Sequence, residues 1–458
     1  MKDKFLTRVS SFFEYIQSMQ LTRFLIFGYA TIILLGTLLL TLPVASRSGM
    51  ATPVNESLFT ATSATCVTGL VLSDVYTHWS LFGQLVLLCL VQIGGVGFMT
   101  VAIFALSLTK HKIGLKSRFT MQESVGAHQV GGIVKMAKFL LFASLTIEFI
   151  GAFFLSFRFI PKLGWLKGIY FSIFHAVSAF CNAGLDLMGN FEPGSSLTTV
   201  KNDVLINVVI SLLIIIGGLG FLVWQDIIEH RWHFKFYKLQ TKIVLVTSGS
   251  LIMLGAIAFL AFEFYSPAYE QLNTAEKIMA SFFQSISART AGFESVNLAK
   301  MNESGQFIMI FLMFIGGSSG STAGGIKTTT FAVLIISILS VFRQRKSIEC
   351  FKRRIDDRIV HNACCVLMFY LMLAGFASTI ISFIEQIPFM PALFESVSAI
   401  ATVGLSLGLT PTLSITSQLI ITLLMFIGRV GGLTLILAFT SGSSEQHSQY
   451  PVERITVG

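Results

Sequence analysis

Apolar residues run along this chain in long unbroken stretches, not in the short alternation of strands or the one-sided stripes of soluble helices. Stretches near residues 22–43, 81–108, 136–160, 203–228, 241–264, 305–342, 359–385 and 417–440 are each long enough to cross a bilayer, which takes about 20 helical residues. They predict eight transmembrane helices in four pairs. Between the members of each pair lies a shorter, mixed segment: FTATSATCVTGL (59–70), FHAVSAFCNAGL (174–185), FQSISARTAGF (283–293) and FESVSAIATVGL (394–405). Each reads Phe, three residues, Ser-Ala, then Gly after three or four more. The glycines Gly69, Gly184, Gly292 and Gly404 are 115, 108 and 112 residues apart, which is a fourfold internal repeat. The second member of each pair repeats a signature of its own: IGGVG (93–97), IGGLG (216–220), IGGSSG (315–320) and IGRVGG (427–432).

The short segments cannot span. From Pro391 to Gly404 there are 14 residues, too few for a helical crossing, so each segment must dip in and return on the same side. Non-helical backbone is tolerated at membrane depth only where protein or a water-filled cavity satisfies it. Each unit therefore crosses twice and all four run in parallel, unlike the inverted repeats of many carriers. The expected fold is an all-α integral membrane protein with four pseudo-symmetric helix–pore loop–helix repeats around a central pore. It divides into an interfacial N-terminus over 1–20, repeats over 21–118, 119–235, 236–350 and 351–440, and a tail over 441–458. Phe5, Phe12, Phe13 and Ile16 read as the apolar face of a short interfacial helix.

Composition agrees. Of 458 residues, 53% are hydrophobic and 12% charged, about half the charge of soluble domains, and mean hydropathy is +0.76. Cytosolic enzymes, disordered regulators and secreted disulfide scaffolds are excluded. The net charge of +9 gathers in Lys2–Arg23, Lys110–Lys138, Arg231–Lys242 and Arg343–Arg358. This alternation is the positive-inside pattern, which puts those segments and both termini in the cytoplasm and removes nucleic acid as a partner. Arg289, Lys327 and Arg429 fall within apolar or Gly-rich runs. The six cysteines have no metal-ligand spacing and read as small buried side chains without disulfides. His230 and His233, with Trp224 and Trp232, read as an interfacial belt at a helix end, and Glu148 as a packing contact between helices.

At the tips of the dips stand Cys66, Val67, Thr68 and Gly69; Asn182, Ala183 and Gly184; Thr290, Ala291 and Gly292; and Thr402, Val403 and Gly404. These stretches contain no acid. Backbone carbonyls are then the available ligands, and a ring of carbonyls replacing the hydration shell is how potassium is selected. Glycine permits the dihedrals that turn carbonyls inward and leaves the axis open. Half-helices that end there direct their negative ends at the ion.

The repeated units, with one filter glycine each and a Gly-Ser-rich break at GGSSGSTAGGIKTTT (316–330), resemble the Trk/Ktr/HKT superfamily of potassium transporters over nearly the whole chain. Trk-type subunits carry two extra helices before the first unit. Here the first unit begins near residue 21 and all four filters hold glycine, so the chain is most similar to the Ktr-type ion-translocating subunit of bacteria. The resemblance implies potassium uptake across the cell membrane, sodium stimulation, a homodimer, and control by a cytosolic ring of nucleotide-binding RCK domains. No cofactor in this chain is expected; potassium, with sodium as stimulating or coupling ion, is cargo.

Gly316 falls about 16 Å into its helix, near mid-bilayer. Gly316, Gly317, Ser318, Ser319, Gly320, Ser321, Thr322, Ala323, Gly324 and Gly325 cannot hold a lipid-exposed helix, so this stretch is expected to line the cavity beneath the filter as a gate, with Lys327 at its cytoplasmic end. Arg429 lies at a similar depth and takes the second-glycine position of the IGG motif, equivalent to Gly95, Gly218 and Gly317. A charge there costs about 2.5–3.5 kcal/mol on insertion scales and needs partners; carbonyls and hydroxyls of 316–325 are the expected acceptors. Two other function classes compete. A sodium- or proton-coupled carrier is disfavoured by the parallel repeats, and a membrane enzyme by the lack of any HExxH, Walker A or Ser-His-Asp set.

Overall fold

The computed structural model describes residues 21–97, 100–101, 133–231, 233–345 and 347–432. The expected interfacial helix over 1–20, most of the first basic loop, Trp232, Lys346 and the tail lie outside the described residues. Among the described residues four helices are long and apolar enough to cross a membrane: α1 (Leu21–Thr41), α4 (Ile133–Leu163), α8 (Leu239–Glu263) and α12 (Asp357–Glu385). Their outward faces expose Leu34, Leu38, Phe149, Met253, Met372 and Phe383. This is the reverse of a soluble bundle and fits lipid as the surrounding solvent.

Each long helix packs against a shorter one that follows it: α2 (Val54–Cys66), α5 (Trp165–Cys181), α9 (Thr274–Ser287) and α13 (Phe389–Ile400). The motif phenylalanines Phe59, Phe174, Phe283 and Phe394 lie on these helices, each about 1% exposed. They fix each short helix with the same anchor.

The second members of the pairs depart from the expected uninterrupted spans. Helix α3 (Leu81–Val96) ends at Gly97 (φ 89°) and α14 (Ile415–Val430) at Gly431 (φ 94°). Helix α6 (Val204–Leu219) ends at Gly220 (φ 94°), where α7 (Phe221–His230) leaves at 94°. In the third unit α10 (Glu303–Phe314) and α11 (Thr328–Phe342) are separated by the Gly-Ser segment. A break was expected only there. The last glycine of IGGxG takes a positive φ that no helix accommodates, so the apolar run continues while the helix does not.

The first glycine of the motif does different work. A Cβ at Gly94, Gly217 or Gly428 would run into the carbonyl oxygen of Thr65, Phe180 or Ile400, each four residues before a repeat glycine. Second helix and short helix thus touch backbone to backbone.

Two smaller expectations are corrected. Among the described residues the cysteines are free, but only Cys66 and Cys181 are buried; Cys350 is half-buried, and Cys89, Cys364 and Cys365 are exposed. Trp224 is no belt residue: it is buried against Phe180 and Phe221 at the α6–α7 bend, and its Nε1 donates to the carbonyl of Ile216. His230 contacts the buried Asp226 carboxylate at 3.0 Å. Glu148 is buried and accepts from Gln92 Nε2 at 3.0 Å, joining α4 to α3 as a packing contact.

Candidate functional site

The four short helices end in the same backbone device. Val67, Asn182, Thr290 and Thr402 have φ of 57°, 59°, 71° and 52°, and two residues later Gly69, Gly184, Gly292 and Gly404 have φ of 94°, 64°, 80° and 96°. For β-branched Val67, Thr290 and Thr402 the left-handed region is a genuine outlier. Such a residue costs about 1–3 kcal/mol and persists only where its surroundings over-determine it. Four outliers in one register mark a site.

The motif serine supplies much of that determination. The carbonyls of Ser63, Ser178 and Ser398 accept from the N–H of Thr68, Ala183 and Val403, each at 2.8 Å, and that of Ser287 from Ala291 at 2.9 Å. The hydroxyls hold the next residues. Ser63 and Ser398 accept from the N–H of Gly69 (3.0 Å) and Gly404 (3.1 Å), whereas Ser178 and Ser287 donate to the carbonyls of Leu185 and Phe293, both at 2.5 Å. Sequence reasoning used this serine as a repeat marker and assigned it no task; its recurrence at a fixed distance from the glycine was the signal.

The glycines of different units meet one another. A Cβ built on Gly69 would lie 2.5 Å from the carbonyl oxygen of Ala183, and one on Gly184 2.8 Å from that of Ala291. Gly292 faces the carbonyl of Val403 more closely still, and Gly404 that of Thr68. The contacts run 69, 184, 292, 404 and back to 69. That is a closed ring, with a carbonyl from each unit beside the glycine of the unit before it.

Beyond the ring lies a cavity of about 220 Å³ whose lining includes all four glycines, the hydroxyls of Ser73, Ser196 and Thr410, and the carboxylates of Asp74, Asp186 and Glu294. These acids follow the ring glycines in sequence, Asp186 and Glu294 by two residues, and the sequence pattern did not single them out. In these loops outside the spanning helices, burial pushes Asp186 up to about 7 and Glu294 up to about 8. Glu294 Oε1 accepts from the N–H of Ser406 at 3.3 Å, and its own N–H donates to Ser196 Oγ at 3.2 Å, tying units two, three and four around the cavity.

The Gly-Ser segment lies on the other side of the ring. Gly316 approaches the Thr290 methyl, Gly324 the Thr402 hydroxyl and Gly325 the Ala401 carbonyl. The segment borrows its backbone partners from unit two. Ser318 N–H donates to Gly218 O (2.9 Å), Thr322 N–H to Gly217 O (3.4 Å), Thr322 Oγ1 to Phe180 O (3.2 Å), and Phe221 N–H to Gly320 O (2.7 Å). Within it, the Ser321 hydroxyl donates to Ser318 O at 2.6 Å and Lys327 Nζ turns back to Ala323 O at 2.6 Å. Gly317 faces Ala323, and Ser319 offers its carbonyl towards Gly220. Arg429 donates to the carbonyl of Thr322, within the expected segment, and also to those of Gly94 and Gly95 in unit one. One guanidinium therefore spans the segment and the α3 break, a second partner that sequence reasoning missed. Buried Arg289, beside Thr290, donates to the Ser248 hydroxyl at 3.2 Å on α8.

The basic loops of units two and three converge. A hairpin of β1 (Glu349–Cys350) and β2 (Arg353–Arg354) brings Phe351 against Phe234 with ring centroids 6.1 Å apart, and Lys242 lies over the Phe234 ring. No group of three or more His, Cys, Asp or Glu able to hold a metal occurs among the described residues.

Comparison with known proteins bears on this geometry. The model of the family described as "TrkH: Cation transport protein" matches residues 14–449. "Potassium/sodium uptake protein NtpJ" of Enterococcus hirae is 40% identical over 94% of this chain and 96% of its own length. "Ktr system potassium uptake protein B" of Bacillus subtilis is also 40% identical, over 94% of this chain and 95% of its own. The crystal structure of the potassium transporter TrkH from Vibrio parahaemolyticus superposes with a TM-score of 0.70 at 17% identity, covering 90% of this chain and 85% of that one.

Proposed function

We propose a function from one premise: this chain belongs to the TrkH family of cation transport proteins. Its task is potassium uptake across the cell membrane, and it performs no catalysis. The four pairs of helices with their short helices form a pseudo-fourfold pore, and Cys66–Gly69, Asn182–Gly184, Thr290–Gly292 and Thr402–Gly404 form the selectivity filter. The observation that carries this reading is the closed ring of glycines, each against a carbonyl of the next unit, above left-handed residues in identical register. Carbonyl oxygens then replace water around a dehydrated potassium ion. The strained backbone resists collapse onto a smaller cation.

Segment 316–325, Lys327 and Arg429 act as the gate. The Arg429 guanidinium lies close beneath the ring, where it opposes cation passage, while the Lys327 amine ties the segment to its own Ala323 carbonyl. Release of Arg429 from the Thr322 carbonyl frees the segment from unit one. Both termini and the basic loops face the cytoplasm on the positive-inside rule, so the surface joined at Phe234 and Phe351 is the one a cytosolic regulator can reach. A nucleotide-binding RCK ring, a second copy of this chain, and stimulation by sodium complete the reading; the name of the Ktr-system relative makes that protein one component of a system, and the name of the other relative gives both potassium and sodium.

Rubidium tracer uptake into liposomes of purified protein tests it. Uptake driven by a potassium-diffusion potential, inhibited by potassium and sustained with equal sodium on both sides, is the expected result for a pore that sodium stimulates without driving. Strict dependence on the sodium gradient would instead identify a coupled carrier.

A further inference from the structure

Resting on the pore reading, we propose that the residue following the motif phenylalanine in each short helix is a positioning residue for the outer half of the filter. These are His175, Gln284 and Glu395, with Glu56 acting for Thr60 in the first unit. Within otherwise repeated motifs this position reads Thr, His, Gln and Glu. All four side chains are buried, from 2% exposed for Thr60 to 0% for the other three. A position that stays polar and inaccessible while changing chemistry is not a packing position, since packing alone would select an apolar residue of similar volume.

The three long side chains share one target, the third residue past the ring glycine. His175 Nε2 accepts from the N–H of Leu187 at 3.3 Å, Gln284 Nε2 donates to Ser295 Oγ at 3.3 Å, and Glu395 Oε1 accepts from the N–H of Leu407 at 3.2 Å. Glu395 also takes the hydroxyls of Ser406 (2.5 Å) and Thr410 (2.8 Å). Threonine cannot reach that far. In the first unit the carboxylate of Glu56, four residues earlier and so on the same helix face, accepts from Ser73 Oγ at 2.5 Å, four residues past Gly69. One short helix lacks the long side chain at this position, and it alone carries a carboxylate one turn earlier that makes the equivalent reach.

Each filter strand is therefore held at two heights. The motif serine ties it at the glycine, and the brace ties the returning chain just beyond. His175 is itself fixed, because Nδ1 lies 2.7 Å from the carbonyl of Phe171. With Nε2 accepting, the proton sits on Nδ1 and the ring is locked as a neutral tautomer. The braces set how far the chain leaving each glycine stands from the axis, and hence the spacing of the outer carbonyls. Because they differ in length and strength, the four strands are held unequally, and the Glu395 strand, with three donors on one carboxylate, is the most firmly placed.

The test is the ratio of potassium to sodium permeability of monodisperse protein in liposomes, with maximal rubidium flux measured beside it. His175→Leu keeps the volume and removes the acceptor, and it should lower the ratio about tenfold, the scale of one lost buried hydrogen bond, with maximal flux held or raised. His175→Gln, whose amide oxygen can accept from Leu187, should restore it. Glu56→Ala should act as His175→Leu does, and Glu56→Ala with Thr60→Gln, which moves the brace to the position used by the other units, should recover the ratio. Glu395→Ala should have the largest effect. If it does not assemble, the His175 and Glu56 pairs decide. Unchanged selectivity in His175→Leu and Glu56→Ala overturns the proposal, as does a loss that the conservative variants fail to rescue. Gly404→Ser separates the two readings. If it alters selectivity while the brace variants do not, the braces are wrong and the pore stands; if it leaves selectivity untouched, the pore reading fails first.

Discussion

The four strands that carry the ring glycines and the 315–327 segment are both irregular backbone inside an apolar bundle, yet they are held in opposite ways. Each ring strand is secured by its own short helix, through the carbonyl and hydroxyl of Ser63, Ser178, Ser287 or Ser398. The Gly-Ser segment depends on other units: Gly217, Gly218 and Phe180 of the second, and Arg429 of the fourth, which also grips Gly94 and Gly95 of the first. A strand held locally keeps its shape when neighbouring units shift. A segment held across units moves when they do. Rigidity and mobility follow from where the partners sit, although both stretches are rich in small residues.

Breaking the local side should have the largest effect. In Gly404→Ser the new Cβ meets the Thr68 carbonyl, whereas Gly184→Ser leaves 2.8 Å to that of Ala291. Both should lower potassium affinity or selectivity, Gly404→Ser by more than about tenfold and Gly184→Ser by less. Competition of unlabelled potassium and sodium against rubidium uptake measures the order, and equal effects would detach the clash from the selectivity.

Breaking the crossing side should raise flux. Deletion of 318–323 removes Thr322 and the contacts to Gly217 and Gly218, so flux without a regulatory partner should rise about fivefold or more, comparable to a coupling of about 1 kcal/mol or more. Arg429→Ala frees one anchor and should raise it about two- to threefold. Both are read in liposomes of assembled protein; lower flux in the deletion would make the segment a structural strut.

The smallest effect concerns the outer cavity. Asp186 and Glu294, raised to about 7 and about 8 by burial, lose their charge as pH falls through that range. Negative charge at a mouth concentrates cations. Apparent potassium affinity should therefore improve by about twofold from pH 6 to pH 8.5, and Glu294→Gln should flatten the trend. An unchanged slope in that variant would assign the titration elsewhere.

Much of this comparison was legible in the sequence. The four glycines could be picked out because the flanking Phe and Ser-Ala repeat with them, and the Gly-Ser break because no helix tolerates five glycines in ten positions. The left-handed residues were hidden, since Val67, Thr290 and Thr402 are types that ordinarily avoid that region and only the surrounding bonds hold them there. The breaks at Gly97, Gly220 and Gly431 were written in the motif, but composition stays apolar across them, and hydropathy does not register a dihedral. The second grip of Arg429 joins residues 334 and 335 apart in sequence, beyond the reach of any local pattern. The acids of the cavity carry no repeat signature, since the residue two places past each ring glycine reads Val71, Asp186, Glu294 and Ser406.

The ring closes between its first and last members, where Gly404 meets Thr68 and Asn55 donates to Gln418 at 3.0 Å. A nascent chain that has made three units has two of the four contacts, and the fourth unit supplies both of the others. Loop closure over so long a separation is slow, and incomplete intermediates are vulnerable. Until the fourth unit enters, the left-handed turn at Val67 has its local bonds to Ala64 and Ser63, but the Thr68 carbonyl lacks the approach of Gly404. The ring is complete only when the last unit is in place, so a chain stalled before residue 404 keeps every contact made within a single unit and lacks the closure between them.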